Sequence, residues 1–321
     1  MVTPVSPTLF HYVHSRMISF PLTALFDSPS KKSVELPPEI EREIFEVTAR
    51  SFPGTAVKLA GLSKRTQYWM EWIIYETVAL DHPAARTAAF LRTIDARPAE
   101  FFSQRIKELY LSYTVTYEEA QRILVVCSNL THLTCWAQGL PGHRQGWLLP
   151  YLGSASTSCL TRLSVKLDML MVQPSFSDNI FQGLTHLEIV SPPPVNTGMS
   201  IDWTALITLP NLKHLIIGNL FSWDHFYLLP VIRGLLNRSP TLEVLAILSK
   251  DPQMLEALEC EEFIDPKLVV LPRFNWPLDL PTYWNKLYTG QLDVWESSAQ
   301  KATKQRLEWS KGIQSSHLLR E

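Results

Sequence analysis

A short leucine phrase recurs along the middle of the chain. Its clearest copies are Leu184–Ile189 (LTHLEI) and Leu212–Ile217 (LKHLII). The weaker copies are Ile106, Leu109 and Leu111; Leu130, Leu133 and Cys135; Leu160, Leu163 and Val165; Leu242, Leu245 and Ile247; and Leu268 and Leu271. In an extended segment alternate side chains face opposite sides, so Leu187 and Ile189 point into a core while His186 points outward. Each copy therefore predicts one short strand with a buried inward face.

The spacing of the phrase is typical of a stacked repeat. From one second leucine to the next the steps are 24, 30, 24, 28, 30 and 26 residues, close to the period of leucine-rich repeats. A single strand cannot bury its apolar face alone. Stacked strands form a continuous core in which each repeat contacts only its neighbours. We therefore predict a solenoid.

The residues between the strands must return the chain to the next strand, and several of these returns carry helical patterns. Thr116 and Glu119 form a capping box, and the apolar residues after them have helical spacing. Phe226–Leu236 and Met254–Leu258 are similar. Strand, helix and strand with a right-handed crossover is then the expected unit. An ordinary doubly wound sheet shares this alternation of strands and helices and remains the alternative.

A separate helical segment precedes the repeats. Leu36–Ile40 (LPPEI) places proline in the first turn of a helix and glutamate at its positive end. Ile44 and Val47 continue one apolar stripe from Ile40, and Pro53–Gly54 ends the helix. Two more apolar helices follow, through Val57, Leu59, Ala60 and Leu62 and through Trp69, Trp72, Ile73 and Tyr75. Such a bundle is too small to be stable alone, so we expect it to pack against the repeats.

Composition and charge limit the classes of function. The chain has 321 residues and a formal net charge of −2 without a dense basic block, so strong binding to nucleic acid is not expected. It has no run of about 18 apolar residues, so we expect no membrane-spanning helix and no membrane partner. Its four cysteines form no Cys-x-x-Cys pair, which favours buried thiols over a disulfide or metal site. These features predict an intracellular protein, cytoplasmic or nuclear.

The predicted domains follow from these patterns. Residues 36–80 form the helical bundle and residues 81–273 form the solenoid. Residues 1–35 contain several prolines and are expected to be a disordered tail, with a mitochondrial presequence as the alternative. Residues 274–321 are expected to contain one helix and a disordered end.

The helical bundle and the end of the chain resemble a known family. The resemblance is carried by Leu36–Ile40 with Ile44–Phe45, by Leu62–Arg65, and by Trp69 with Tyr75–Leu80. Together these look like the F-box-like motif of a large group of fungal proteins, in which the motif precedes degenerate leucine-rich repeats. Asp265–Pro272 and Val294–Glu296 resemble the tail of that group. The resemblance covers about residues 36 to 300.

The resemblance implies both a fold and a function. The expected fold is α/β, a small N-terminal three-helix F-box-like bundle followed by an irregular leucine-rich-repeat solenoid of parallel strands with helical or loop returns. An F-box recruits a Skp-type adaptor and thereby an SCF-type (cullin-RING) ubiquitin ligase, while the repeats hold the protein substrate. The adaptor-binding residues implied by the resemblance are Leu36, Pro37, Ile40, Ile44 and Leu62. Two alternatives remain, a bundle that only caps the first repeat and a binding scaffold without a ubiquitin role.

The outward strand positions are the candidate surface for the substrate. His132, His186 and His214 occupy the same position of three repeats, directly before the second leucine. Arg162 and Lys166 share their side of the strands, which gives a weakly basic patch. The predicted partner-binding residues are Glu108, His132, Arg162, Lys166, His186, Glu188 and His214. Because the buried leucines determine only the fold, partner specificity is expected to reside in these outward residues.

The same histidines are the candidate residues for metal chemistry. Adjacent strands lie about 4.8 Å apart, so His186 and His214 can approach one another, but zinc needs further ligands in tetrahedral geometry. Neither Cys-x-x-Cys nor His-Glu-x-x-His accompanies them, and the Gly-x-Gly-x-x-Gly, Walker and Gly-x-Ser-x-Gly phrases are missing. We therefore predict a non-enzymatic interaction protein without a metal or cofactor. A metal-dependent enzyme remains the alternative.

Overall fold

The computed structural model describes most of the chain after residue 35. The described residues are 36–52, 54–138, 146–153, 159–170, 176, 178–190, 203–220, 225–259, 263–272 and 293–311. The predicted tail, residues 1–35, and the predicted disordered end after residue 311 lie outside them. The chain divides into two compact units, residues 1–76 and 77–321. The sequence placed this boundary after residue 80 because Tyr75–Leu80 were assigned to the F-box-like motif.

The described part of the first unit is a bundle of three helices, α1 (Pro38–Ser51), α2 (Thr55–Ala60) and α3 (Lys64–Ile74). Proline opens α1 at a position where its missing N–H is not needed, and acidic residues meet the positive helix end. Gly54 has a φ of 81°, a left-handed conformation that glycine adopts at little cost in the turn before α2. Three helices over these segments were predicted.

One side of each helix forms the core of this bundle. Phe45 and Ala49 of α1 pack with Ala56 of α2 and with Trp69 and Met70 of α3. The rings of Phe45 and Trp69 have centroids 6.4 Å apart. A Ser63 cap, whose side chain accepts a hydrogen bond from the Thr66 N–H, fixes the start of α3.

The second unit contains one sheet of eight parallel strands in sequential order from β1 to β8. The strands are β1 (Thr77–Leu80), β2 (Glu108–Leu111), β3 (His132–Cys135), β4 (Arg162–Val165), β5 (His186–Ile189), β6 (His214–Leu220), β7 (Val244–Ser249) and β8 (Leu268–Leu271). Since β1 and β8 are the two ends of this order, the sheet is not closed. A doubly wound sheet reverses its strand order at a switch point. The strictly sequential order excludes that alternative.

The register follows the second leucine of the phrase. The aligned residues are Val78, Leu109, Leu133, Leu163, Leu187, Leu215, Leu245 and Leu268. All the leucines in this row are fully buried. The inward direction predicted for these side chains is therefore confirmed.

Two details of the predicted ladder are wrong. Strand β1 was missed because Tyr75 and Val78 stand where the two leucines of the phrase were sought. In β8 the residue aligned with Leu245 is Leu268, and not Leu271 as the spacing of the leucine phrase predicts. The last strand is apolar at every position, so alternation of side chains could not determine its register.

Helices return the chain between the strands. They are α4 (Ala85–Ala96) and α5 (Ala99–Arg105) after β1, α6 (Tyr117–Val126) after β2, α7 (Leu149–Gly153) after β3, α8 (Leu167–Leu170) and α9 (Asn179–Gln182) after β4, α10 (Thr204–Ile207) after β5, α11 (His225–Arg238) after β6, and α12 (Pro252–Leu258) after β7. The predicted capping box of α6 is present, with Thr116 and Glu119 each accepting the other's backbone N–H. The helices predicted near residues 226–236 and 254–258 are α11 and α12.

A threonine ladder runs along the starts of the strands. The hydroxyl of Thr131 donates to the carbonyl of Lys107, that of Thr161 to Thr131, and that of Thr185 to Thr161, at 3.0 to 3.1 Å. The backbone N–H of each threonine donates to the same carbonyl at 2.9 Å. Each of the strands β3 to β5 is thereby fixed to the preceding strand by a side chain as well as by the hydrogen bonds of the sheet.

A last helix, α13 (Val294–Ser310), packs on the outward face of the sheet at its C-terminal end. Its buried residues are Trp295, Ser298 and Ala302. Asp293 caps it by accepting the N–H of Glu296 at 2.8 Å. The predicted C-terminal helix is therefore present, and it covers part of the face that the sequence analysis assigned to partner binding.

Candidate binding surfaces

The first candidate surface is an exposed apolar face of the helical bundle. The five residues assigned to adaptor binding, Leu36, Pro37, Ile40, Ile44 and Leu62, are all exposed. The side chains of Ile40, Ile44 and Leu62 are 44%, 49% and 65% exposed. Val47, Phe52, Val57 and Tyr68 of the same bundle are exposed large apolar residues as well. A small domain with this many accessible apolar side chains has the composition of a protein-binding surface.

Helix α1 has two apolar stripes, one buried in the core of the bundle and one exposed. Phe45 and Ala49 face the bundle core. Ile40, Ile44 and Val47 lie at helical spacing on a different side, because residues at i, i+4 and i+7 share one face. The core of the bundle is thus formed without the second stripe, which is exposed to solvent.

Leu62 lies at the same end of the bundle as the start of α1. The ion pair between Arg65 of α3 and Glu41 of α1 holds the beginnings of these helices together. Leu62 precedes Arg65 by three residues, so it belongs to the end of the bundle that also carries Leu36 and Ile40. The sequence placed these residues in one surface only through the family resemblance.

The second candidate surface is the outward face of the sheet, and here the expected exposure is wrong in part. Glu188 is fully buried and His132 is 5% exposed. Glu108, Arg162, Lys166, His186 and His214 are half-buried. Part of the outward face is packed against α13 through Trp295. Because they are buried, Glu188 and His132 are inaccessible to a partner, whereas the half-buried positions keep part of their surface exposed.

His186 and His214 do come together, as the sequence suggested. They are aligned in β5 and β6, and their rings stack with centroids 4.3 Å apart and planes inclined by 21°. The edge-on ring of Trp295 lies 5.2 Å from His186. Burial, and then the neighbouring His214 and Arg162, lower the pKa of His186 to about 3. Burial also lowers the pKa of His214. The pair is therefore neutral at neutral pH and packs as an aromatic stack.

His132 belongs to a polar cluster on β2 and β3. Its Nδ1 lies 3.3 Å from the hydroxyl of Tyr110, which donates to Glu108 at 3.3 Å. Glu108 also accepts from the hydroxyl of Thr77 at 3.2 Å. Burial, and then the charge of Arg162 on β4, lower the pKa of His132 to about 4.

These histidines do not form a metal site within the described residues. A zinc centre needs several ligands that converge on one point. Across the described ranges no group of three or more His, Cys, Asp and Glu residues is placed to hold a metal ion. His186 instead stacks on His214, meets the ring of Trp295 edge-on and forms a hydrogen bond through Nδ1 with the hydroxyl of Thr185 at 2.8 Å.

The most informative residue that the sequence analysis missed is Trp295. It was noted only as part of a phrase in the tail, yet it packs with Ile216, Val244 and Val269 on the outward face of the sheet. The signal was present in the strands, because β7 (VLAILS) and β8 (LVVL) are apolar at outward as well as inward positions. Strands of that kind are covered on both faces.

Comparison with known proteins does not assign the chain to a family. No family model matches it, and neither a curated protein nor a solved structure matches it. Among the described helices, none combines the length and the apolar character needed to cross a membrane.

Proposed function

We propose that the chain is the substrate-recognition subunit of an SCF-type ubiquitin ligase. The bundle α1 to α3 binds a Skp-type adaptor, and the sheet unit, an irregular leucine-rich-repeat solenoid, holds a protein substrate. The observation that carries the proposal is the exposed apolar stripe of α1 together with Leu36 and Leu62. The resemblance to the F-box-like motif assigns Leu36, Pro37, Ile40, Ile44 and Leu62 to the adaptor, and Val47 extends the same stripe.

The apolar stripe supports a protein partner rather than a purely structural role. Four apolar side chains are between 44% and 59% exposed, those of Leu36, Ile40, Ile44 and Val47. Exposure of apolar surface to water is energetically unfavourable. Burying such side chains at an interface contributes about 25 cal/mol per Å² of apolar area, before the costs of association. A cap function alone does not account for this much accessible apolar surface.

Ile40→Asp is the variant that tests adaptor binding. Ile40 lies in the first turn of α1, where a carboxylate interacts favourably with the positive helix end. Since Ile40 is also 44% exposed, the substitution should leave the bundle folded while placing a charge in the centre of the interface. Ile264→Asp is the matched control, because Ile264 has a similar exposure of 41% in the other unit.

The experiment is co-purification of the full chain with a Skp-type adaptor. The proposal predicts a complex for the wild type and for Ile264→Asp, and its loss for Ile40→Asp. Failure of the wild-type chain to retain the adaptor would overturn the proposal. Other proteins that co-purify equally with wild type and Ile40→Asp would then favour the scaffold without a ubiquitin role.

The substrate is expected to contact the sheet unit. Glu108, Arg162 and Lys166 keep part of their side chains accessible on the outward side of the strands. Two of these residues, Arg162 and Lys166, are basic, and Glu108 is acidic. This combination favours a substrate that presents mainly acidic side chains at the rim of its interface. Replacing Arg162 and Lys166 together by glutamine should weaken substrate capture but leave adaptor binding unchanged.

A further inference from the structure

The seat of α13 on the sheet has a simple composition. The buried residues of the helix are Trp295, Ser298 and Ala302, which lie at i, i+3 and i+7 and so form one stripe. Trp295 and Ala302 belong to one apolar cluster with residues of the sheet, and Val294 is packed against its edge. One aromatic side chain and two small residues therefore make up the centre of the helix side of this contact.

The sheet side of the contact is far more apolar. The apolar residues that meet the helix are Ile216 of β6, Val244, Ala246 and Leu248 of β7, and Val269 of β8, with Leu271 at the margin. The ring of His186 on β5 also lies against Trp295, with centroids 5.2 Å apart. These residues of the sheet occupy outward positions, which in β2 to β4 are taken by polar residues such as Thr134 and Ser164. Beneath α13 the outward positions of the last three strands, apart from His214 of β6, are thus apolar, and we call this surface the groove.

Two hydrogen bonds hold the helix at the sides of this groove. Lys301 Nζ donates to the carbonyl of Val270 in the edge strand at 3.1 Å, and Arg306 donates to the carbonyl of Glu243 at 2.7 Å. The Arg306 contact is exposed to solvent, whereas the Lys301 contact is partly buried. Farther along the helix Leu307 and Trp309 are 56% and 44% exposed. The second half of α13 therefore adds little apolar burial to its attachment.

We propose that this groove is a binding site for amphipathic helices and that α13 is its exchangeable occupant. A partner protein takes the place of α13 when it presents a helix with an aromatic residue followed by small residues at i+3 and i+7. The small residues are required because Ser298 and Ala302 have no exposed surface, so a larger side chain there would hold the helix away from the sheet. The inference does not depend on adaptor binding.

The test uses a labelled synthetic peptide of residues 293–311 and the full chain. In the wild type the attached helix competes at high effective concentration, so the peptide should bind weakly. In the Ala302→Asp chain the carboxylate would be buried against apolar residues, so α13 should dissociate from the groove. The peptide should then bind in a saturable manner, at least about tenfold more tightly than to the wild type. A peptide with Trp295→Ala should lose this binding.

Two results would overturn the proposal. One is the absence of peptide binding to an Ala302→Asp chain whose circular dichroism matches the wild type. The other is equal binding of the peptide with and without Trp295. If Ala302→Asp does not fold, hydrogen exchange of the wild-type chain is measured instead. We expect the amides of α13 to exchange faster than those of β7. Exchange of both elements only through one common opening would show that the helix is not exchangeable.

Discussion

Buried histidines make the stability of the sheet unit depend on pH, and His132 allows the clearest measurement. It is 5% exposed, faces the ring of Tyr110 with centroids 5.0 Å apart, and is aligned with Glu108 on one side and Arg162 on the other. Its pKa is about 4 in the folded chain, against an ordinary value of 6.5. Between these values the unfolded chain binds the proton and the folded chain does not.

The size of the effect follows from the two pKa values. At 1.36 kcal/mol for each pH unit, the interval from 6.5 to about 4 corresponds to up to about 3 kcal/mol. The free energy of unfolding should be highest above pH 6.5, fall as the pH decreases through this interval, and level off below about pH 4. At pH 5 the loss from His132 alone should be about 2 kcal/mol.

The assay is urea denaturation followed by circular dichroism at pH 8 and pH 5. His132→Asn is the comparison variant, since its amide retains hydrogen-bonding capacity near Nδ1 but cannot be protonated. The wild type should lose about 2 kcal/mol more stability between the two pH values than the variant does. The same pH dependence in both chains would show that His132 is not held neutral by burial, and would refute the reasoning.

Other predictions concern single contacts, each checked by urea denaturation. Leu187→Ala removes a fully buried side chain from the central strand β5 and should cost about 2 to 5 kcal/mol. Thr161→Val deletes one hydrogen bond of the threonine ladder and should cost about 1 kcal/mol, whereas Thr161→Ser should cost less. Arg50→Gln breaks an exposed ion pair with Glu76 and should change stability by less than about 1 kcal/mol. A larger loss for Arg50→Gln than for Leu187→Ala would contradict the assignment of the core.

The inward face of the strands could be predicted because one physical rule determines it. Leucines that align on neighbouring strands point to the same side of the sheet, and that side is the core. Leu133, Leu163 and Leu187 are aligned in this way, and all three are fully buried. The leucine pattern did not identify a strand in which other residues replace the leucines. Val78 occupies the same inward position in β1. Because Tyr75 and Val78 replace the two leucines of the phrase, the leucine pattern does not predict this strand.

The outward face could not be predicted from the repeat alone, because its burial depends on a distant part of the chain. Trp295 lies more than 100 residues from His186 in sequence, yet their rings are 5.2 Å apart. Only the apolar outward positions of β7 and β8 pointed to a cover, and they did not identify the segment that supplies it. The threonine ladder was present in the sequence as Thr131, Thr161 and Thr185 before the strands, but a threonine at that position is equally compatible with an exposed turn.

The bundle shows a different limit of sequence reasoning. Its helices begin and end where proline, glycine and serine predict, since these signals act locally. The pattern also gave the stripe of Ile40, Ile44 and Val47, but an apolar stripe predicts burial in general. The separation of this stripe from the core stripe of Phe45 and Ala49 became visible only with α2 and α3 in place.

Adaptor binding is tested most directly by calorimetric titration of the purified chain with a purified Skp-type adaptor. We expect saturable one-to-one binding to the wild type and to Ile264→Asp. Ile40→Asp should bind at least about 30-fold more weakly, the effect of losing a contact worth about 2 kcal/mol at the centre of an interface. Absence of binding to the wild type, or the same affinity for Ile40→Asp as for the wild type, would contradict the account.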